Sequence, residues 1–431
     1  MPKEQRGISQ IVYQVKKSLK TLKGENYRNR LLIDFLRTPE SIRASCNTFM
    51  QYACKDQLKH FAYVEQKLPE VADFVINIMN QQYVDLDIPY HSRWRHFEAA
   101  GINRLVLLQA KTRNVKSAIE LVIVSILLDA GAGSKWRYVD HLSQTTFSRS
   151  EGLAVASFNL FMQGLFSSDA ENPCQADAYG LQSISASLLA DGLQVAPMNP
   201  LIGLEGRLKL LQQLGRCIKD KPEYFGDSNS GLRLGNILDY WQKNVKNDCI
   251  SMYTIFSSLL DGFSEIWPGR YSIDNINLGD VWPSAFNMTD LNPQGFTPFH
   301  KLTQWLCYSL IEPLEQMGLT VTDLNILTGL PEYRNGGLFV DFGVLIPKNT
   351  NDIMLVHKLD SDFIIEWRAM TIVLLDKLAE IIRDKLSISA QKLNLIQVLQ
   401  GGTWLAGRVI AQQLREDGSP PFLLDSDGTL F

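Results

Sequence analysis

Asp360-Ser361-Asp362-Phe363-Ile364-Ile365-Glu366-Trp367-Arg368-Ala369-Met370-Thr371 opens a stretch in which Ile364, Trp367, Thr371, Leu374, Leu378 and Ile381 recur three to four residues apart. That spacing turns apolar side chains onto one face of an α-helix, and Asp360-Ser361 offers side-chain oxygens for its start. Working outward, Ile11, Val15 and Leu19 repeat the period. Thr38-Pro39-Glu40 sets an N-cap before a first-turn proline, and Ser150-Glu151 opens an apolar run to Phe161. The expected fold is mainly α. One stretch departs from the pattern: β-favouring residues follow the glycine pair Gly336-Gly337 and stop at Pro347, which predicts a short β-hairpin over 337–346. Of the turn-rich segments, only Trp267 to Phe296 is long enough to suggest a boundary. Residues 1–87 hold few of the unusual clusters found later, so they are expected to form an N-terminal helical region ahead of a main helical domain, 88–431, that carries the site.

The 431 residues are 45% hydrophobic and 20% charged, enough apolar material for one large core or two packed together. With 42 Lys+Arg against 46 Asp+Glu the formal net charge is -4. No broad basic field is available for a phosphate polymer, which argues against a nucleic-acid partner. Met1 to Gln10 is polar and has no apolar segment followed by a cleavage site, so a cytoplasmic location is expected. The apolar stretches at Ala118 to Leu128 and Phe363 to Leu375 are broken by Glu120 and by Glu366 and Arg368; neither reaches bilayer length, and no membrane association is expected. The six cysteines are scattered without a C-x-x-C pair, which suggests buried, reduced thiols rather than a disulfide framework or zinc site.

Histidine and tryptophan are scarce, so the places where they collect are informative. In Pro89-Tyr90-His91-Ser92-Arg93-Trp94-Arg95-His96-Phe97-Glu98, a helix opened by Pro89 would put His91, Arg95 and Glu98 on one face, with Trp94 and Phe97 on another. A salt-bridged surface helix fits the same spacing. Leu128 to Tyr138 contains Asp129 and a glycine-bearing turn (Gly131, Gly133), where small residues permit close backbone approach or simply end a helix. Pro298 to Tyr308 places His300, Gln304 and Tyr308 at helical spacing beside Lys301 and Trp305, donors suited to a sugar or phosphate or ordinary polar decoration. Glu332-Tyr333-Arg334-Asn335 sits among glycines and a proline, the composition of a loop that could carry catalytic groups or of a plain turn. Glu366-Trp367-Arg368 flanks the stripe of the opening helix, and Gly401-Gly402-Thr403-Trp404 reads as a helix start whose free N–H groups could receive a phosphate. His91 and His96 stand five residues apart, poor spacing for a metal, and no Gly-x-Ser-x-Gly elbow is present.

Taken together, Pro89 to Gly101, Leu128 to Tyr138, Glu151 to Ser157, Asn199 to Arg207, Gly279 to Trp282, Pro298 to Pro313, Leu330 to Asp341 and Gly401 to Ala406 resemble the uracil-catabolism family of fungi and bacteria. Strings such as His91-Ser92-Arg93-Trp94-Arg95-His96-Phe97-Glu98 and Pro331-Glu332-Tyr333-Arg334-Asn335-Gly336-Gly337 carry the resemblance over nearly the whole chain. It implies a pathway in which uracil becomes its ribonucleotide, the ring is opened by a relative of GTP cyclohydrolase II, and urea and a three-carbon acid are released. A more distant similarity links Glu332-Tyr333-Arg334 and Glu366-Trp367-Arg368-Ala369 to the queuosine-salvage N-glycosidases, whose helical fold resembles DNA glycosylases and whose first position is typically Asp where this chain has Glu.

The implied chemistry is hydrolysis of the N-glycosidic bond of a ribosylurea 5'-phosphate to urea and ribose 5-phosphate, with no cofactor and no metal. It needs a carboxylate against an oxocarbenium-like state, donors for the leaving group and cations for the phosphate. Glu332 is the expected catalytic carboxylate, with Glu366, Asp129 and Asp362 in reserve. His91, Arg95, His96, Glu98, His300, Lys301, Trp305, Tyr333, Arg334 and Arg368 are the expected substrate-binding residues. Two other readings stand beside it: a non-catalytic carrier of the ring-opened pyrimidine nucleotide, and an amidohydrolase acting on its ureido group.

Overall fold

The computed structural model describes residues 25–129, 131–227, 231–267 and 270–425; the helix expected around Ile11, Val15 and Leu19 lies outside them. The helices that position the site are α1 (Pro39–Ala53), α2 (Leu68–Gln82), α3 (Arg93–Phe97), α4 (Val115–Leu127), α5 (Arg149–Met162), α6 (Leu204–Asp220), α7 (Lys301–Glu315), α8 (Tyr333–Asp341), α9 (Asp362–Leu386) and α10 (Trp404–Leu414). Strands among the described residues are two or three residues long and occur only as pairs. The fold is mainly α, as expected. No helix among the described residues is long and apolar enough to cross a membrane.

Helix α9 is the axis of the core. Its stripe of Ile364, Trp367, Thr371, Leu374 and Leu378 is buried, and so are Phe363, Ile365, Met370, Ile372, Val373 and Leu375 on its other faces. An apolar circumference of this kind belongs to a helix enclosed by neighbours, here α1, α2 and α8. Each large side chain so buried contributes about 1.5–3 kcal/mol. Its start follows the sequence, with Ser361 accepting from Ile364 N–H at 3.4 Å; likewise Thr38 caps α1 through Ser41 N–H at 3.2 Å. Cys46 and Phe49 of α1 and Val71 and Val75 of α2 share one core with residues from beyond position 87. A smaller cluster joins Leu32, Ile33 and Leu36 to Leu278, Val281 and Phe296. Cys46, Cys174, Cys217 and Cys307 are buried thiols, whereas Cys54 is exposed.

The hairpin expected over 337–346 is not formed. Residues Tyr333–Asp341 are helical, the chain turns at Gly343 with φ 70°, and only β2 (Leu345–Pro347) is extended, paired antiparallel with β1 (Phe61–Tyr63). The glycines serve packing rather than a turn. A Cβ on Gly336 would come within 2.8 Å of the Trp367 indole, and one on Gly407 within 2.1 Å of the Arg334 carbonyl, so α8 lies close against both α9 and α10. That close approach, sealed by the Trp367 Nε1–H bond to Gly336 O at 3.1 Å, outweighs the β preference of Leu338, Phe339 and Val340.

Candidate functional site

Serine 92 shapes the first wall. Its hydroxyl accepts from Trp94 N–H (3.1 Å) and donates to Glu312 (2.7 Å), so the helix begins at Arg93 rather than at Pro89, and it ends at Phe97. His91 therefore precedes the helix and does not share a face with Arg95 and Glu98. It is buried, with Nδ1 bonded to the Gln400 amide at 3.0 Å; burial lowers its pKa to about 4. Arg95 instead turns to Glu312 (2.6 Å) and to Glu98 (3.5 Å), and both Arg95 and Glu98 lie outside the cavity described next.

A cavity of about 380 Å³ opens among α3, the turn after α4, the starts of α5, α7 and α8, α10 and residues 417–424. That volume suits a small polar metabolite. His91, His96, Asp129, Lys301, Trp305, Glu332, Tyr333 and Arg334, eight of the residues singled out from sequence, line it together.

Arg93, fully buried, organises one side. Nε donates to Ser125 Oγ (2.8 Å), while Nη1 reaches Asp129 Oδ2 (2.9 Å), Ser150 O (3.3 Å) and His96 Nδ1 (3.4 Å). A guanidinium can only donate, so His96 Nδ1 accepts and the ring proton sits on Nε2. Burial, reinforced by the Arg93 charge, holds the His96 pKa well below its ordinary value. The result is a neutral N–H donor. Asp129 gives one oxygen to Arg93; Oδ1 is buried without a hydrogen-bond partner, and burial raises its pKa despite Arg93. The turn carrying Asp129 is fixed from α6, where Arg207 donates to Leu128 O (2.9 Å), to Gly131 O (3.3 Å) and to Ile202 O.

Glu332 is the N-cap of α8. Oε2 accepts from Arg334 N–H (2.7 Å) and Oε1 from Asn335 N–H (2.6 Å). The helix-start donors and Lys301 draw its pKa down, and burial, the larger effect, draws it up. Lys301 acts electrostatically on both Glu332 and Asp129, and its own pKa is lowered by burial. Trp305 and Trp404 complete the wall with the histidines: the His91 ring lies 4.8 Å from Trp305, and the His96 ring 6.0 Å from Trp404.

Three other candidates are placed elsewhere. Glu366 receives the backbone N–H groups of Lys59, His60 and Phe61 at 2.9–3.0 Å, tying the β1 segment to α9. His300 adopts φ 45° and bonds Leu36 O through Nε2 at 2.8 Å. Arg368 clamps Asp280 with two bonds of 2.8 and 2.7 Å under the Phe299 ring. All three are buried structural links away from the cavity. The segment Gly401-Gly402-Thr403 is likewise no helix start: Leu399–Thr403 is a π-helical turn continuous with α10, and its glycines pack against Ile88, Met79 and Val75. Sequence reading passed over Arg93, Arg149, Trp404, Gln400 and residues 417–424. Arg93 and Trp404 stand inside clusters named above, and Gln400 immediately before one; Arg149 carries no local signal, and Glu416 to Pro421 reads from sequence only as a turn-rich segment.

In comparisons with known proteins, the chain is 40% identical over 413 residues to "Protein urg3" of Schizosaccharomyces pombe, an alignment covering 91% of this chain and 97% of that protein. It is 36% identical over 439 residues to "Uracil catabolism protein 4" of Lachancea kluyveri, covering 93% and 99%. Residues 35–431 match the model of the family described as "Protein of unknown function (DUF1688)". A match of that extent, with relatives aligned nearly end to end, makes the chain a member of the DUF1688 family.

Proposed function

We propose that this protein acts in uracil catabolism as an N-glycosidase, hydrolysing a ribosylurea 5'-phosphate to urea and ribose 5-phosphate. The pathway comes from the name of a relative that aligns over 99% of its length. The reaction rests on one observation: two carboxylates, Asp129 and Glu332, line the same small cavity as a neutral imidazole donor and two indoles. Leaving-group departure from C1' creates an oxocarbenium-like centre, and Glu332, pinned by two N–H groups, supplies fixed negative charge to it. Asp129 Oδ1 takes a proton from the attacking water as its oxygen bonds to C1'. His96 Nε2–H steadies the ureido carbonyl while the departing nitrogen takes a proton from a solvent water, the proton gained by Asp129 returns to solvent at the end of the turnover, and Trp305 and Trp404 cover the flat ureido group. Arg93 holds Asp129 and His96 in register, a positioning role.

Purified protein incubated with synthetic ribosylurea 5'-phosphate should release urea and reducing sugar in equal amounts, with no ammonia. Tight binding without release would mark a carrier, and ammonia without free sugar an amidohydrolase.

A further inference from the structure

Arginines within and outside the cavity fall into two groups. Arg93, Arg95, Arg368, Arg408 and Arg415 each end on a carboxylate at 2.6–3.0 Å. Arg149 and Arg334 do not. Among the described residues, Arg149 Nη2 donates to Asp417 O at 3.2 Å, while Arg334 Nη1 donates to Gly418 O at 3.0 Å with its guanidinium 5.0 Å above the Tyr333 ring. Both line the cavity, beside Ser150, and among the described residues neither makes an ion pair. Arg334 is only 5% exposed, so water does little to screen its charge. The two cations also work against each other: burial first, then Arg334 and Arg408, lower the pKa of Arg149.

Arg149 reaches this position through a left-handed backbone, φ 55°, at the first residue of α5. A non-glycine residue enters that region at a cost, and here the outcome is a second positive charge placed beside the first. Each guanidinium carries five N–H donors and spends one on a main-chain carbonyl. Two fork-shaped cations held by main-chain carbonyls rather than by ion pairs, with the Glu332 and Asp417 carboxylates at electrostatic range, match the near-double charge and several acceptors of a phosphomonoester better than the single charge of a carboxylate.

We infer that Arg149 and Arg334 form a phosphomonoester subsite, so that the cavity selects a phosphorylated sugar over the free sugar. The ribosyl part of that ligand rests on the glycosidase reading; the anion subsite does not.

Calorimetric titration of the full chain with ribose 5-phosphate, ribose and inorganic phosphate tests this. Ribose 5-phosphate should bind roughly tenfold or more tighter than ribose, weaken as salt rises, and lose its advantage in Arg149→Ala, with Arg149→Lys intermediate because it keeps charge but not the fork. Equal binding of the two sugars by the unmodified protein would overturn the subsite, as would a preference surviving intact in a folded Arg149→Ala. The two readings fail separately. Arginine-dependent binding of ribose 5-phosphate without urea release from ribosylurea 5'-phosphate would keep the subsite and remove the glycosidase. Equal urea release from ribosylurea and its 5'-phosphate, unaffected by Arg149→Ala, would do the reverse.

Discussion

Replacing Glu332 by Gln separates two roles that its geometry combines. Both carboxylate oxygens accept helix-start N–H groups, from Arg334 and Asn335. In glutamine one of those positions becomes NH₂, a donor facing a donor, so one capping bond is lost and an N–H is left unsatisfied. Loss of a cap bond costs about 0.5–2 kcal/mol, and an unsatisfied buried donor about 1–3 kcal/mol; together the effect is a drop of a few degrees in melting temperature for a chain of this size. The chemical step should suffer more. With the fixed charge against C1' gone, urea release should fall roughly 10²–10⁴-fold, the range for loss of a catalytic carboxylate. The assay pairs a thermal melt with initial rates measured well below the melting transition. A variant that melts lower yet releases urea within about threefold of the wild-type rate would refute the catalytic role and leave Glu332 as a cap alone.

Glu366→Gln makes the complementary test: it should destabilise by about 1–3 kcal/mol, because three backbone N–H groups now share an amide, while kcat stays unchanged in a folded sample; a large loss of kcat would bring Glu366 back into the chemistry. Burial raises Glu366 and Glu120 to about 7, so the folded state binds more protons than the unfolded state between the ordinary carboxyl range and about pH 7. Stability contributed by these groups therefore falls as pH rises through that window, and a melting temperature that rises instead would contradict it. For catalysis, desolvation in the cavity raises both Asp129 and Glu332, and the active forms are ionised, so the acid limb of the kcat/KM profile should lie above the ordinary carboxylate range; a limb below it would show that neither carboxylate governs the rate. Gly336→Ala would bring a methyl within 2.9 Å of Trp367 and Thr371 atoms, predicting about 1–3 kcal/mol of destabilisation by urea titration, and no loss would refute the close packing of α8 on α9.

Helical spacing made the α class and α9 legible, since Ile364, Trp367, Thr371, Leu374 and Leu378 mark a period that tertiary contacts then reinforced. The segment 337–346 misled because glycine is ambiguous from sequence: Gly336 admits a neighbouring indole instead of a turn. Scarce residue types found much of the site, His91, His96, Trp305 and the Glu332-Tyr333-Arg334 run, because chemistry concentrates them. Whether a charged residue points into a cavity or into a buried ion pair depends on partners far along the chain, as with Arg368 and Asp280, or Glu366 and the β1 segment. No local pattern encodes that. Arg149 and residues 417–424 escaped for the same reason: they reach the cavity only through the packing of the C-terminal segment against α5 and α8.

The most direct test follows the bond itself, in a single turnover with protein in excess over ribosylurea 5'-phosphate labelled with ¹³C and ¹⁵N in the ureido group and ¹³C at C1'. The account predicts that the one-bond coupling between C1' and nitrogen disappears while the ureido carbon keeps both nitrogens, as free urea. Persistence of the C1'–N coupling, with the ureido carbon released from a nitrogen or left unchanged, would contradict it.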